Sequence, residues 1–241
     1  LIAGCGTGQQ ILQLARNTND INITAIDLSI NSLSYAKRIV TDIGIKNVHF
    51  IKKDILTPFP SDIQSFDYIE CGGVLHHLEN PEKGLARLCE QLNSGGIMML
   101  ALYSRKGRQP LEVVKDFIKS NLMSFEQPDK AIYLREYLIS QAAKGEKNAS
   151  DFCRLSGDFY SLSGYRDLLF HVKEHVYDLD ELSEMFRKAK LKFVGVSHTP
   201  GVVRSLKNWT GELKSLDDWN DLENEYPNTF EAMYHILLQK P

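Results

Sequence analysis

Gly4-Cys5-Gly6-Thr7-Gly8 lies between the end of an apolar run and the start of an amphipathic one. Glycines at alternate positions let the backbone turn tightly and approach a ligand where a Cβ would collide. Such a loop also serves as a plain strand-to-helix turn, so the positions after it decide. Asp27 closes the next apolar run, 19 residues beyond Gly8, and Asp54 closes the one after that. An ionised aspartate at the place of Asp27 accepts both ribose hydroxyls of a nucleoside and disfavours a 2′-phosphate. Asp54 is placed to accept from an adenine amino group. Either aspartate alone would serve equally as a helix cap or a solvated turn residue; three successive run ends that suit one nucleoside argue for a shared ligand. The glycines run G-x-G-x-G, and Gln9 fills the sixth place that the dinucleotide fingerprint reserves for glycine, so no pyrophosphate site is specified.

His76 and His77 follow the fourth apolar run. A histidine titrating near neutral pH suits a general base, and His76 is the candidate; the competing reading has one imidazole packing on the next helix and the other ordering the loop. His171-Val172-Lys173-Glu174-His175 matches the inverted zinc-protease pattern H-x-x-E-H, and on a helix the two histidines would share a face. No third ligand is spaced as that chemistry requires, so no metal site is expected. The segment reads instead as a wall over the site, with Tyr160, Arg166 and His171 as candidates for touching a substrate, or as structural hydrogen bonding between wall and core.

These residues need elements to hold them. Strands are expected at Leu1–Ala3, Ile23–Ile26, Val48–Ile51, Tyr68–Cys71 and Ile97–Leu102, with helices at Gln9–Arg16, Asn31–Val40 and Pro81–Leu92 between them. Strands alternating with helices of this length imply βαβ units, a parallel sheet covered on both faces and a doubly wound topology. From 105 to 175 no strand pattern is visible: Leu111, Val114, Ile118 and Leu122 form one stripe, Ile132 to Leu138 begin a second helix, and Lys144–Ser150 reads as a polar linker. Asp178 with Glu181 resembles a capping box ahead of the stripe Leu182, Met185, Phe186 and Ala189. A sixth strand at Phe193–Ser197, a segment bearing Trp209 and Trp219, and a seventh strand at Ala232–Gln239 complete the chain.

Composition bounds the rest. The chain has 241 residues, 43% hydrophobic and 24% charged, with a net charge of −3, which suits a globular α/β domain and offers no basic run for nucleic acid or anionic lipid. Cys5, Cys71, Cys89 and Cys153 are scattered without a C-x-x-C pair, which argues against a zinc ribbon or a disulfide framework and for a reducing, cytoplasmic setting. No apolar run approaches membrane-spanning length. The first residues read as the end of a strand with no initiator Met, so an excised domain is expected.

The motifs LIAGCGTGQQ, ITAIDLS, VHFIKKDIL, FDYIECGGVLHHLENP and LNSGGIMMLALYS together resemble the class I S-adenosylmethionine-dependent methyltransferases, closely over 1–104 and loosely over 178–197. The resemblance implies a Rossmann-like sheet of seven strands, mostly parallel with the last antiparallel, and a helical insertion after the fifth. It implies S-adenosyl-L-methionine as cofactor and S-adenosyl-L-homocysteine as product. Gly4, Cys5, Gly6 and Gly8 would line methionine and ribose; Asp27 and Leu28 would hold the ribose, Asp54 and Ile55 the adenine, and Gly72 the methionine part. The family often carries an acid two residues before the first glycine, where this chain has Ile2, so the cofactor's amino group would be met by backbone carbonyls, Gln9 or water. More narrowly, DFYSLSGYRDLLFHVKEH is similar to bacterial methyltransferase domains found downstream of tetratricopeptide repeats.

The implied organisation is a cofactor-binding core over 1–104, a helical lid or substrate insertion over 105–177, and a C-terminal part, 178–241, completing the sheet. The implied reaction is methyl transfer to a small-molecule or protein acceptor. No D/N-P-P-Y/F stands after the fourth strand, where Glu70-Cys71-Gly72-Gly73 is found, and no Pro-Cys occurs, so nucleic acid is not the expected acceptor. The rival readings are a catalytically silent cofactor-binding module that regulates an attached domain, a nicotinamide oxidoreductase and a zinc hydrolase.

Overall fold

A computed structural model describes residues 1–17, 21–61, 63, 65–121, 128–155, 157–160, 165, 168–169 and 174–241. Its first part alternates β1 (Ile2–Ala3), α1 (Gln9–Asn17), β2 (Ile23–Asp27), α2 (Ile30–Asp42), β3 (Val48–Lys52), β4 (Phe66–Gly72), α3 (Pro81–Gln91) and β5 (Leu92–Tyr103). Then come α4 (Gln109–Ser120), α5 (Pro128–Ala143) and α6 (Lys147–Leu155), followed by α7 (Leu179–Lys188), β6 (Lys192–Val196), α8 (Pro200–Leu206), α9 (Leu216–Glu225) and β7 (Met233–Gln239). The seven strands form one sheet in the order β3-β2-β1-β4-β5-β7-β6. Every pair is parallel except those made by β7, which runs antiparallel to both β5 and β6. The strand order reverses direction between β1 and β4, and in an open parallel sheet that switch opens a crevice at the carboxyl ends of the strands.

Side-chain alternation splits the core between the two faces. Ile2 of β1 with Ile23 and Ala25 of β2 packs against Ile11, Leu33 and Val40 of α1 and α2. Leu1, Ala3 and Ile26 point the other way, into a larger cluster with Leu85 and Leu88 of α3, Leu182 and Phe186 of α7, and Tyr234, Ile236 and Leu238 of β7. Local caps set the helix starts: Ser29 Oγ accepts the Ser32 amide ahead of α2, and Asn80 Oδ1 accepts the Lys83 amide ahead of α3, which has Pro81 in its first turn. At α7 the Asp178 amide donates to Glu181 Oε2 at 2.9 Å, as the capping-box pattern predicts.

One reading needs correction, and one stretch given no element in the sequence gains two helices. Lys144–Ser150 is only in part a linker, because α6 starts at Lys147; the Glu146 carboxylate accepts the amides of Asn148 and Ala149 and so caps a helix that composition alone marks as polar coil. The Trp-bearing segment folds as α8 and α9. Thr199 and Ser215 cap them, and Asp218 closes a capping box on Ser215. Trp219 is buried in the main core with Phe230, and Trp209 packs on its margin.

Helices α4 to α6 carry a third cluster of their own, in which Leu111, Val114 and Ile118 meet Leu134, Leu138 and Phe152. Leu122 lies outside the described residues. Among the described residues no helix is long and apolar enough to cross a membrane.

Candidate active site

The loop after β1 is shaped by its own backbone. The amides of Gly4 and Cys5 both donate to Ile26 O, at 2.8 and 3.0 Å, and Gly8 N donates to Cys5 O. Gly4, Gly6 and Gly8 all have positive φ, of 78°, 51° and 94°. Gly4 is the most constrained: a Cβ there would stand 2.3 Å from Val74 Cγ2, in the loop after β4. Cys5 is buried in the core beneath, and burial with the nearby Asp27 charge pushes its thiol up to about 12, so Cys5 meets the crevice as backbone and not as a nucleophile.

Asp27 ends β2 facing this loop. Its Oδ2 accepts the Gly6 amide at 2.8 Å, its Oδ1 accepts the Ser29 amide at 2.8 Å, and its carbonyl accepts the Lys53 amide. Leu28, beside it, is 65% exposed, an apolar surface with nothing over it at the rim. Asp54, just beyond β3, folds its carboxylate back onto the Leu56 amide at 2.8 Å. Ile55 is buried against Gly84 of α3. The following loop is pinned by Lys53, whose ammonium donates to Thr57 O, Thr57 Oγ1 and Pro58 O and lies 4.4 Å from the Phe59 ring centre. Lys53 was not singled out in the sequence, since a lysine beside an aspartate reads as a solvated turn.

Gly72 ends β4 on the opposite lip of the crevice. A Cβ on it would stand 2.8 Å from Nε2 of Gln10, in the first turn of α1. Gln9 is exposed, so of the two adjacent glutamines it is Gln10 that reaches across. The helical turn after Gly8 decides this, and the sequence carries no signal for it beyond adjacency.

A 3₁₀ turn at Leu75–His77 follows the Gly72-Gly73 pair. The His76 ring is 0% exposed; it stacks on Tyr103, the last residue of β5, with centres 3.6 Å apart, and meets His77 edge-on at 4.3 Å. In this arrangement the imidazole is enclosed by the rim and not presented to an approaching acceptor. The Arg108 guanidinium covers the other neighbourhood of Tyr103, 3.5 Å from its ring centre, and donates to the buried Glu174 carboxylate at 2.9 Å; Lys115 of α4 pairs with the same oxygen. Residues 174–177 strap this column from outside: His175 N donates to His76 O, and Tyr177 N to Tyr103 O. Glu174 is thus committed to cations, which leaves the H-x-x-E-H pattern without its acid; His171 and Arg166 lie outside the described residues. Tyr160 is exposed, and its contacts among the described residues, with Cys153, Arg135 and Phe159, are all within the helical segment. A cavity of about 630 Å³ opens beside the strap, lined by Asn80, Arg105, Glu174, His175 and Tyr177 among others.

Comparison with known proteins accords with this geometry. A methyltransferase-domain family model matches residues 2–164. An uncharacterised protein of Synechococcus sp. is 30% identical over 82% of this chain and 48% of its own length. A ubiquinone/menaquinone biosynthesis C-methyltransferase of Coxiella burnetii is 28% identical over 48% of this chain and 52% of its own. The chain therefore spans about half the length of the curated relatives it matches. Among solved structures, PKMT2 from Rickettsia typhi superposes with a TM-score of 0.70 at 18% identity, over 99% of this chain and 47% of that one, and its complex with AdoHcy with a TM-score of 0.67 at 20% identity, over 99% and 48%. With a seven-stranded sheet whose β1–β4 crevice is lined by a glycine loop and flanked by Asp27 and Asp54, and with a family model covering more than half of its length, the chain belongs to the methyltransferase domain family.

Proposed function

We propose that this domain transfers a methyl group from S-adenosylmethionine to a small-molecule or protein acceptor. The observation that carries the reading is the convergence of the Gly4–Gly8 loop, Asp27, Asp54 and Gly72 on the carboxyl ends of four adjacent strands, β3-β2-β1-β4, in a chain of this family. When bound, S-adenosylmethionine supplies an electrophilic methyl carbon on sulfur. The residues present suit it. Gly4, Cys5, Gly6 and Gly8 offer backbone without side chains in the way. The Asp27 carboxylate has acceptor capacity left after its two backbone bonds, enough for ribose hydroxyls. Leu28 supplies exposed apolar surface, Ile55 follows Asp54 with its backbone at the rim and its side chain buried beneath it, Asp54 supplies an acceptor for an amino group, and Gly72 room at the far lip.

Transfer of this kind asks the protein chiefly to align the acceptor and handle its proton. His76 is the proposed general base. Its enclosure by Tyr103 and His77 means that it takes a proton only after the segment roots at 105–108 and 174–177 shift, and residues 105–177 are proposed as the lid that does so. Tyr160, Arg166 and His171 remain proposed acceptor contacts on that lid, and the neighbouring cavity is of a size for a small molecule or a side chain.

The same enclosure of His76 favours a second reading, a cofactor-binding regulatory module without turnover. Calorimetric titration with S-adenosylmethionine, S-adenosylhomocysteine and NADH tests the class: binding of both methionine-derived ligands and not NADH supports it, while a folded protein that binds neither sinks it. Transfer of labelled methyl to a panel of small molecules and peptides separates the enzyme from the silent module. In the full-length protein we further propose tetratricopeptide repeats upstream and a cytoplasmic location, the latter supported by four free cysteines; sequencing the complete gene and fractionating cells test the two.

A further inference from the structure

We propose that Gln10 is the selectivity residue for the amino-acid tail of the adenosyl ligand, acting across the crevice from Gly72. The inference rests on the reading that this crevice holds S-adenosylmethionine.

The order of strands works as a ruler. Asp54 sits at the end of β3, Asp27 at β2, the glycine loop at β1 and Gly72 at β4. Neighbouring strands lie about 4.8 Å apart, so the rim from β3 to β4 runs about 14 Å. A ligand with its adenine at Asp54 and its ribose at Asp27 places its remaining end over the β1–β4 gap, where Gln10 and Gly72 face each other. β1 brings only apolar side chains to this gap: Ile2 and Ala3 are both buried. No carboxylate from β1 meets an ammonium group there. Among the described residues, a polar side chain that reaches the gap is Gln10, whose amide Nε2 lies 2.8 Å from where a Cβ of Gly72 would stand. A side chain at Gly72 would therefore push the Gln10 amide out of its present position.

A primary amide matches a zwitterionic tail better than a charged group would. Its NH2 donates to a carboxylate and its carbonyl accepts from an ammonium, so it favours both ends and repels neither. A glutamate in the same place would attract the ammonium and repel the carboxylate; alanine would serve neither.

The test compares S-adenosylhomocysteine with 5′-methylthioadenosine, which keeps the adenosyl thioether and lacks the amino-acid tail, by calorimetry on the wild type and on variants whose folding is checked by thermal unfolding. The wild type is expected to bind S-adenosylhomocysteine at least tenfold tighter. Gln10→Ala should weaken that ligand by about tenfold, the scale of a hydrogen bond to a charged group, and leave methylthioadenosine within twofold. Gln10→Glu should weaken it at least as much. Gly72→Ala should mimic Gln10→Ala, and the double variant should be no worse than Gly72→Ala alone, since both changes remove one interaction. Equal loss for both ligands in Gln10→Ala, or loss for neither, overturns the proposal. A wild type that binds methylthioadenosine as tightly as S-adenosylhomocysteine overturns it while leaving the adenosyl reading intact. A wild type that binds neither removes the underlying reading and this inference with it.

Discussion

Asp27 holds the loop it faces: its Oδ2 accepts the Gly6 amide at 2.8 Å, while its Oδ1 accepts the Ser29 amide at the same distance. One carboxylate therefore shapes the glycine loop and starts the turn into α2 before any ligand arrives. On the proposed reading a ribose hydroxyl would meet an acceptor already held in place, with little ordering left to be done on binding.

Asp27→Ala is accordingly expected to act twice. On the proposed reading it would remove charge-assisted bonds to ribose worth about 1.5–3 kcal/mol each, and it frees the Gly6 amide, so S-adenosylhomocysteine affinity should fall by at least tenfold, with a small drop in thermal stability. Calorimetry on the variant checks this, and unchanged affinity would remove the ribose assignment.

Gly4→Ala combines backbone strain at φ 78° with overlap against Val74. The left-handed conformation alone costs about 1–2 kcal/mol for a residue with a Cβ, and the overlap adds to it. In a denaturant-unfolding cycle with Val74→Ala, the double variant should recover the overlap part and keep the backbone part. Simple additivity would show that the two residues do not touch in solution.

Arg108 is 3% exposed, with its charge shared between the Tyr103 ring and Glu174. Arg108→Met leaves the buried Glu174 carboxylate with Lys115 as its remaining partner among the described residues. Breaking a buried pair from one side costs about 3–5 kcal/mol where no partner remains, so a loss towards the low end is expected, largely restored in Arg108→Met/Glu174→Met. Urea unfolding of the two variants decides; a double variant no more stable than the single would mean that the pair does not act as a unit.

The Glu223 carboxylate, fully buried, accepts from Ser104 Oγ and from Tyr234 OH. Burial, the largest influence, raises its pKa above the usual carboxylate range, against the opposing pull of those bonds and Lys106. The folded protein therefore holds this proton more tightly than the unfolded chain, whose glutamate titrates near ~4.3. The contribution to stability is full below that pH and is lost as pH rises through the raised folded value. Glu223→Gln removes this dependence, so the melting temperature of the variant relative to wild type should climb from pH 4.5 to pH 7.5. A constant difference across that range would contradict the assignment.

His76→Ala should leave S-adenosylhomocysteine affinity within a few-fold and lower the rate of methyl transfer once an acceptor is in hand. Undiminished transfer would remove His76 as the base. Loss of binding instead would mark the stack with Tyr103 as a support for the crevice.

What the sequence determined by itself was everything carried by short-range pattern. Short apolar runs such as Ile23-Thr24-Ala25-Ile26, helical stripes such as Leu33, Ala36 and Val40, and the glycines after β1 located the strands, the helices and the loop, and the alternation of strand and helix pointed to the doubly wound sheet, while its reversed last strand followed only from the family resemblance. These signals are legible because steric and hydrogen-bonding preferences act within a few residues. The caps Ser215 and Asp218 of α9 are equally local, and Leu216, Trp219 and Leu222 recur behind them at helical spacing, so this helix is legible in the sequence as well. Only the tertiary structure decided that Gln10 and not Gln9 reaches Gly72, that His76 is enclosed by a tyrosine 27 residues away, and that Glu174 belongs to Arg108 and Lys115. Each of those outcomes depends on which surfaces distant segments bring together, and burial and charge pairing across such distances leave no imprint on local spacing.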